Sequence, residues 1–255
     1  MPAFKVLGPT EVLSDGRNCT PTPAKVRQVL VLLLLRGNQV VHIDALIDEL
    51  WGSESPRSAV TTVQTYIYQL RKSFAQQCVM PSGRRWLRTR PPGYMLELEP
   101  GELDASVFEA KVQKSQILLD SGRAAEADPV LKEALGLWSG PALTDVANGR
   151  HLDAHAVHLE EQRMRALELS IQVGFALGRS RSLIGELRSL TVRYPLNEWF
   201  HCRLMAALTD SGRRHDALKV YHDLRSMLDR ELGLSPSSEI EQTQHRILND
   251  MPLVL

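Results

Sequence analysis

Between Arg57 and Arg90 the chain carries seven basic residues, Arg57, Arg71, Lys72, Arg84, Arg85, Arg88 and Arg90, and no Asp or Glu. Such a stretch suits a polyanion, because each Lys or Arg that neutralises a phosphate releases condensed counterions. Charge alone fits a solvated basic face as well, so the neighbouring side chains decide. Thr61, Thr62, Gln64, Thr65, Tyr68, Gln69, Arg71 and Lys72 fall together on one side of a helical projection. Hydroxyls, amides and cations of this kind hydrogen-bond base edges and phosphate oxygens in a major groove, which is wide enough to admit a helix. An ordinary surface helix would mix in Asp or Glu for i,i+4 pairs.

Other candidate constellations are weaker. His151, His155 and His158 stand at i, i+4 and i+7. Metal binding needs further ligands and a second shell; no His-Glu-x-x-His pattern accompanies them, so a solvated or half-packed helix face is expected. Cys19, Cys78 and Cys202 are odd in number and far apart, and read as buried or idle thiols. No Walker-type loop, Gly-x-Ser-x-Gly elbow or dinucleotide glycine signature is present. No enzyme activity, cofactor or metal is therefore expected. Trp51, Trp86, Trp138 and Trp199 read as core, and Tyr66 as packed at a helix margin, leaving Tyr68 the better candidate for DNA.

The elements that would position the basic stretch can be read from periodicity. Phe4 to Leu7 and Glu11 to Leu13 are strand-like runs around Gly8-Pro9. Pro23 can open a mostly apolar helix over Ala24 to Arg36, closed by Gly37 and central to its domain. After a short apolar step at Val40 and Val41, Ile43, Leu46, Ile47, Leu50 and Trp51 form one face of a second helix. Asp44, Asp48 and Glu49 lie outside it, and Gly52 ends it. Ser58 caps a third helix reaching about Ala75, with Val60, Val63, Ile67, Leu70 and Phe74 inward. Beyond the Pro81-Ser82-Gly83 turn, Trp86 to Thr89 and Tyr94 to Leu98 alternate around Arg90-Pro91-Pro92-Gly93. That hairpin, with Arg84, Arg85, Arg88 and Arg90, suits a backbone or minor-groove contact. Strands, three helices and a basic hairpin describe a winged helix-turn-helix.

Composition agrees. The 255 residues hold 30 Lys plus Arg and 30 Asp plus Glu, with 43% hydrophobic residues, ordinary for a folded protein of one large or two smaller domains. Residues 1–100 carry 12 basic against 8 acidic residues, and the remainder the opposite excess. The longest apolar run, Val29 to Leu35, is seven residues, against the roughly 20 a membrane span needs. Met-Pro-Ala-Phe-Lys has no signal-peptide pattern, so a cytoplasmic, nucleoid-associated protein without membrane contact is expected.

The runs Ala45-Leu46-Ile47-Asp48-Glu49-Leu50-Trp51-Gly52, Val63-Gln64-Thr65-Tyr66-Ile67 with Leu70-Arg71-Lys72, and Arg88-Thr89-Arg90-Pro91-Pro92-Gly93-Tyr94 carry a resemblance. They resemble the OmpR-type winged helix, and more narrowly the N-terminal domain of the Streptomyces antibiotic regulatory protein (SARP) family. There a bacterial transcriptional activator domain of tetratricopeptide-like repeats follows. The resemblance implies that Thr61, Thr62, Gln64, Thr65, Tyr68, Gln69, Arg71 and Lys72 contact bases or phosphates, with Arg88, Thr89, Arg90 and Tyr94 in the wing. Many relatives have Ser-Arg where this chain has Tyr68-Gln69, a departure that bears on the target sequence, not on the binding mode. OmpR-type response regulators place a phosphoacceptor domain ahead of the winged helix; with none here, the resemblance gives no reason to expect phosphorylation control.

After Glu99-Pro100-Gly101, Asp104 caps a region read as helices to Asn249, broken at Gly122, Gly140-Pro141, Gly178, Pro195, Gly212 and Gly233. Gly178 and Gly212 lie 34 residues apart, the tetratricopeptide period. Ala217, Leu218, Tyr221, Leu224 and Leu228 share a face of the helix Arg213 to Leu232, and Ala127, Leu131 and Ala134 follow Gly122 at matching offsets. Leu143 to Val173 does not fit the period and reads as an insertion or a longer helix. The expected fold is mainly α with a small β component: a winged helix-turn-helix over 1–100, an all-α repeat domain over 101–250 and a tail at 251–255. The family resemblance implies an activator that binds direct repeats in double-stranded DNA upstream of an antibiotic biosynthetic cluster. It further implies a second protomer alongside and contacts to RNA polymerase holoenzyme, sigma subunit included. The rival expectation is an interaction adaptor whose winged helix binds protein; the acid-free stretch argues against it.

Overall fold

A computed structural model describes residues 4–77 and 86–252. Cys78, the Pro81-Ser82-Gly83 turn, Arg84 and Arg85 lie outside the described residues. The chain packs as two compact units: one holds the chain up to Ile117 together with Pro129–Ala166, the other Leu118–Asp128 and everything from Leu167 onward.

In the first unit β1 (Phe4–Lys5), β2 (Glu11–Ser14) and β3 (Arg17–Asn18) form an antiparallel sheet in that order. β1 stops two residues short of the expected Leu7. The backbone N–H groups of Val6 and Leu7 donate to the carboxylate of Asp104 at 2.9 to 3.1 Å, so they are not available to a strand ladder. The helix α1 (Ala24–Leu35) has Val26 and the run Gln28 to Leu34 buried, as an all-round apolar helix should. α2 (Ile43–Trp51) and α3 (Ala59–Gln77) pack on it. Val63, Ile67, Leu70 and Phe74 of α3 are each at most 3% exposed, and each contributes about 1.5–3 kcal/mol of burial. Phe4, Phe74 and Trp86 stack edge-on with centroids 4.9 to 6.5 Å apart, joining the first sheet, the end of α3 and the base of the wing.

The wing is a second sheet, ordered β4 (Val41–His42), β6 (Gly93–Leu96), β5 (Leu87–Arg90). The apolar step before α2 is thus its third strand, pairing Val41 with Tyr94 and His42 with Gly93. A glycine is required at 93, because a Cβ there would lie 1.9 Å from the Val41 carbonyl oxygen. β6 ends before Leu98 because the Asn38 side chain takes over as a backbone mimic, bonding both N–H and C=O of Leu98 at 2.9 Å.

Two expectations for α2 and α3 change. Glu49 is 2% exposed rather than outside. Its carboxylate accepts from the backbone N–H of Gly149 (2.6 Å), His151 (2.8 Å) and Leu152 (3.1 Å) and from Gln28 Nε2 (3.0 Å). It therefore caps the N-terminus of α6 (Arg150–Ala176), where unpaired N–H groups and the helix dipole favour an anion. In α3 the inward stripe starts at Ala59, 4% exposed, and Val60 is 47% exposed.

α4 (Asp104–Asp120) and α5 (Ala124–Leu135) precede α6, which accounts for the stretch that broke the repeat period. Asp104 also accepts from the Ala105 N–H at 2.8 Å. Burial pushes its carboxyl up to about 6, against the pull of the Leu7, Val6 and Ala105 N–H groups and of Lys5. Asp145 accepts from the Thr10 N–H at 2.7 Å and pairs with Arg27 Nε at 3.1 Å.

The second unit contains α7 (Ser180–Arg193), α8 (Glu198–Asp210), α9 (Arg214–Leu232) and α10 (Ser238–Leu248). The glycine turns repeat one another bond for bond. Gly122, Gly178 and Gly212 have φ of 73°, 68° and 73°. Each donates to the carbonyl three residues back, and the following arginine donates to the carbonyl five back, all at 2.8 to 2.9 Å. Five residues after each glycine, Ala127, Leu183 and Ala217 are buried. This recurrence is that of a helical repeat. Among the described residues no helix is long and apolar enough to cross a membrane.

Candidate nucleic-acid interface

α3 presents Val60, Thr61, Gln64, Thr65, Tyr68, Gln69, Arg71 and Lys72 exposed, with Thr62 and Tyr66 half-buried at the margins. Tyr68 is 64% exposed, an unusual value for a tyrosine on a well-packed helix. No acid stands on this helix. At roughly 1.5 Å per residue, the stretch from Val60 to Lys72 spans nearly 20 Å, enough to follow several base pairs of a groove.

The threonines contribute differently from the sequence expectation. Thr62 Oγ1 donates to the Ser58 carbonyl and Thr65 Oγ1 to the Thr61 carbonyl, both at 2.9 Å. Their hydroxyl hydrogens are engaged within the helix, so these residues offer lone pairs and methyl groups to a ligand. Val60 adds a second exposed apolar group suited to a thymine methyl. Periodicity put it inward because counting back from Val63 by three reaches Val60 and by four reaches Ala59, and it is Ala59 that is buried.

In the wing, Arg88, Thr89 and Arg90 are exposed. Arg88 Nε pairs with Glu97 at 2.7 Å, so much of its charge is met within the sheet. Arg90 stands next to the hairpin turn and has no acid partner among the described residues; Lys72 and Arg57 are likewise exposed without one. Tyr94 is 8% exposed and belongs to the packed side of the wing, where the Arg71 guanidinium lies 5.9 Å from its ring centroid. Arg71 also reaches the wing through Thr89 Oγ1 at 2.8 Å and the Leu87 carbonyl at 3.3 Å. Tyr94 therefore supports the wing from beneath, and Arg71 joins helix to hairpin.

The histidines of α6 sit elsewhere in this unit. His151 Nε2 lies 3.1 Å from Asp48. Burial first, then Arg36 and the neighbouring histidines, hold His155 below the usual imidazole range, while Glu49 opposes them. His158 is exposed, and the described residues contain no group of three or more His, Cys, Asp or Glu placed to hold a metal ion. Glu49 was missed although the sequence carries a sign of it: an acid in the last turn of a helix is disfavoured by the dipole and calls for an outside partner.

A helix with an acid-free polar face, packed in a three-helix core and flanked by a β-hairpin with an exposed arginine near its tip, defines a winged helix-turn-helix transcription regulator. The family model for the C-terminal domain of transcriptional regulatory proteins matches residues 17–96, and that for the bacterial transcriptional activator domain matches 103–248. The regulatory protein DnrI of Streptomyces peucetius is 37% identical over 252 residues, covering 98% of this chain and 93% of DnrI. The transcriptional regulator RedD of Streptomyces coelicolor is 33% identical over 253 residues, 98% of this chain and 71% of RedD. Among solved structures, Mycobacterium tuberculosis EmbR in complex with a low-affinity phosphopeptide superposes with a TM-score of 0.91 at 31% identity, over 98% of this chain and 66% of that one. The chain belongs to the SARP family of transcriptional regulators, a family of regulators and not of enzymes.

Proposed function

We propose that the protein is a sequence-specific DNA-binding activator that lays α3 in the major groove and sets the wing on the adjacent backbone or minor groove. The observation that carries this reading is the acid-free exposed face of α3 beside a wing whose Arg90 has no acid partner among the described residues. Gln64, Tyr68 and Gln69 read base edges, Val60, Thr61, Thr62 and Thr65 supply methyl and lone-pair contacts, and Arg57, Lys72 and Arg90 take phosphates. Arg88, Thr89 and Tyr94 shape the wing, and Arg71 joins it to α3. Membership of the Streptomyces antibiotic regulatory protein family supports control of an antibiotic biosynthetic cluster. Residues 1–100 form the DNA-reading segment, and 101–250 the activator segment that recruits RNA polymerase holoenzyme through contacts including sigma. Two protomers sit head to tail on direct repeats, whose spacing is near one helical turn, about 10 to 10.5 bp.

The test is fluorescence anisotropy of the full chain on duplexes selected from a random pool, repeated across salt. Arg57, Lys72 and Arg90, each taking one phosphate, would alone give log K against log salt a slope of about −2.7. Enrichment of a direct repeat with at least that slope is the expected outcome. Binding that ignores salt, or a pool with no enriched sequence, would sink the reading.

A further inference from the structure

Arg71 lies on the recognition face, yet its guanidinium points at the wing. Nη2 donates to Thr89 Oγ1 at 2.8 Å, Nε donates to the Leu87 carbonyl at 3.3 Å, and the group lies 5.9 Å from the Tyr94 ring centroid. Leu87 and Thr89 are on β5, and Tyr94 is the β6 residue directly opposite Thr89. One side chain therefore engages both strands of the hairpin. Among the described residues β5 is the edge of its sheet, paired with β6 alone, so its outward carbonyl groups have no ladder partner there. Arg71 satisfies one of them. Arg90 is the next residue after Thr89, so whatever holds Thr89 also sets the approach of Arg90 to DNA.

From this arrangement we infer that Arg71 is a positioning residue. It locks the wing at a fixed angle to α3, and it strengthens DNA binding through Arg90 rather than by contacting phosphate itself. The inference rests on the DNA-reading assignment above. Its chemistry requires arginine: the planar fork reaches a hydroxyl and a carbonyl at once, which a lysine ammonium in the same place cannot do. Lys72, the neighbouring cation, is exposed and makes no such bonds among the described residues, and it serves as the contrast.

The test is a double-mutant cycle in the full chain on the selected duplex, with Arg71→Ala, Arg90→Ala and the double variant titrated across salt. Folding of each variant is checked by circular dichroism. Arg71→Ala alone is expected to weaken binding about tenfold, and in the Arg90→Ala background by less than about threefold. Arg90→Ala and Lys72→Ala should each reduce the salt slope by about one, and Arg71→Ala should not reduce it further once Arg90 is gone. Thr89→Val, which removes one of the two bonds, should weaken binding in the same direction by a smaller factor, and Thr89→Ser, which keeps the acceptor, should bind more tightly than Thr89→Val. In the free protein, hydrogen exchange of the Leu87 to Leu96 amides should quicken in Arg71→Ala and Thr89→Val but not in Thr89→Ser. Losses that multiply, with a slope reduced by about two in the double variant, would make Arg71 a direct phosphate contact and overturn the brace alone. Unchanged exchange in Arg71→Ala would overturn it too. Failure of the unaltered chain to bind any duplex would remove the DNA-reading assignment, and with it the route through Arg90.

Discussion

Replacing Glu49 by Ala should cost the first unit more stability than any single change on the exposed face of α3. The carboxylate is buried and accepts four hydrogen bonds, three from the backbone at the start of α6 and one from Gln28. The approach is close: a Cβ on Gly149 would lie 2.1 Å from the Glu49 carbonyl oxygen. Truncation leaves four donors facing a void. Each unmet buried donor costs about 1–3 kcal/mol, and water entering the vacated space recovers part of the sum. A net loss of about 3–5 kcal/mol follows, the range seen when one partner of a buried charge arrangement is removed. Glu49→Gln keeps one acceptor oxygen but turns an NH2 toward backbone N–H groups, so about 1.5–3 kcal/mol is expected. Urea unfolding followed by circular dichroism gives the overall figure. With m near 2 kcal/mol/M, the alanine variant's midpoint should fall by roughly 1.5–2.5 M at constant m. Hydrogen exchange at Gly149, His151 and Leu152 supplies the local one, since these amides should lose protection. A midpoint shift below about 0.5 M, or a glutamine variant as damaged as the alanine one, would refute the capping argument.

Three further outcomes follow from the same unit. Asp104 holds its proton more tightly in the folded protein than in the unfolded chain, its carboxyl being raised to about 6. Stability through this group therefore falls as pH rises from the ordinary carboxylate range through about 6, by up to about 3 kcal/mol. Urea midpoints at about pH 4.5 and about pH 7.5 should show this fall, and Asp104→Asn should abolish it. Gly93→Ala sets a Cβ against the Val41 carbonyl, which no rotamer change relieves; a loss of about 2 kcal/mol or more, read as a lowered Tm, is expected. A chain ending at residue 100 loses the acceptors of Val6, Leu7 and Thr10 and three of the four donors of Glu49. It should unfold less cooperatively and at lower urea than a chain ending at Ala166; equal midpoints would contradict this.

What could be read from the sequence was whatever a period reveals. The stripe Val63, Ile67, Leu70, Phe74 announced the buried side of α3, and the apolar run of α1 announced a central helix. Glycines at 122, 178 and 212 marked turns that share one hydrogen-bond pattern. A period reports which face a residue is on and is silent about what meets it. Glu49, Asp104 and Asp145 each find partners about a hundred residues or more away in sequence, and no local pattern encodes such a meeting. The acid-free exposed face of α3 was legible for the same reason: all its members share one helix. Its chemistry was less so, because the hydroxyls of Thr62 and Thr65 turn back on the helix and Tyr94 turns inward, and both are consequences of packing.

This division has a mechanical consequence for the regulator. The side chains that hold α3 in place, Ala59, Val63, Ile67, Leu70 and Phe74, are all on its buried face, and those proposed to read bases are on the other. Substitutions at Gln64, Tyr68 and Gln69 should therefore change which operator is preferred while leaving stability within about 0.5 kcal/mol, as surface changes away from buried networks do. Arg71 is the exception, because it stands on the reading face and bonds to the wing. On the proposed reading, changing it alters the geometry in which the other contacts would be made. A specificity library over α3 that holds Arg71 and Thr89 fixed should yield variants of altered operator preference at undiminished affinity. A library that varies them should lose affinity before it gains new targets, and equal performance of the two would show that the helix and the wing read DNA independently.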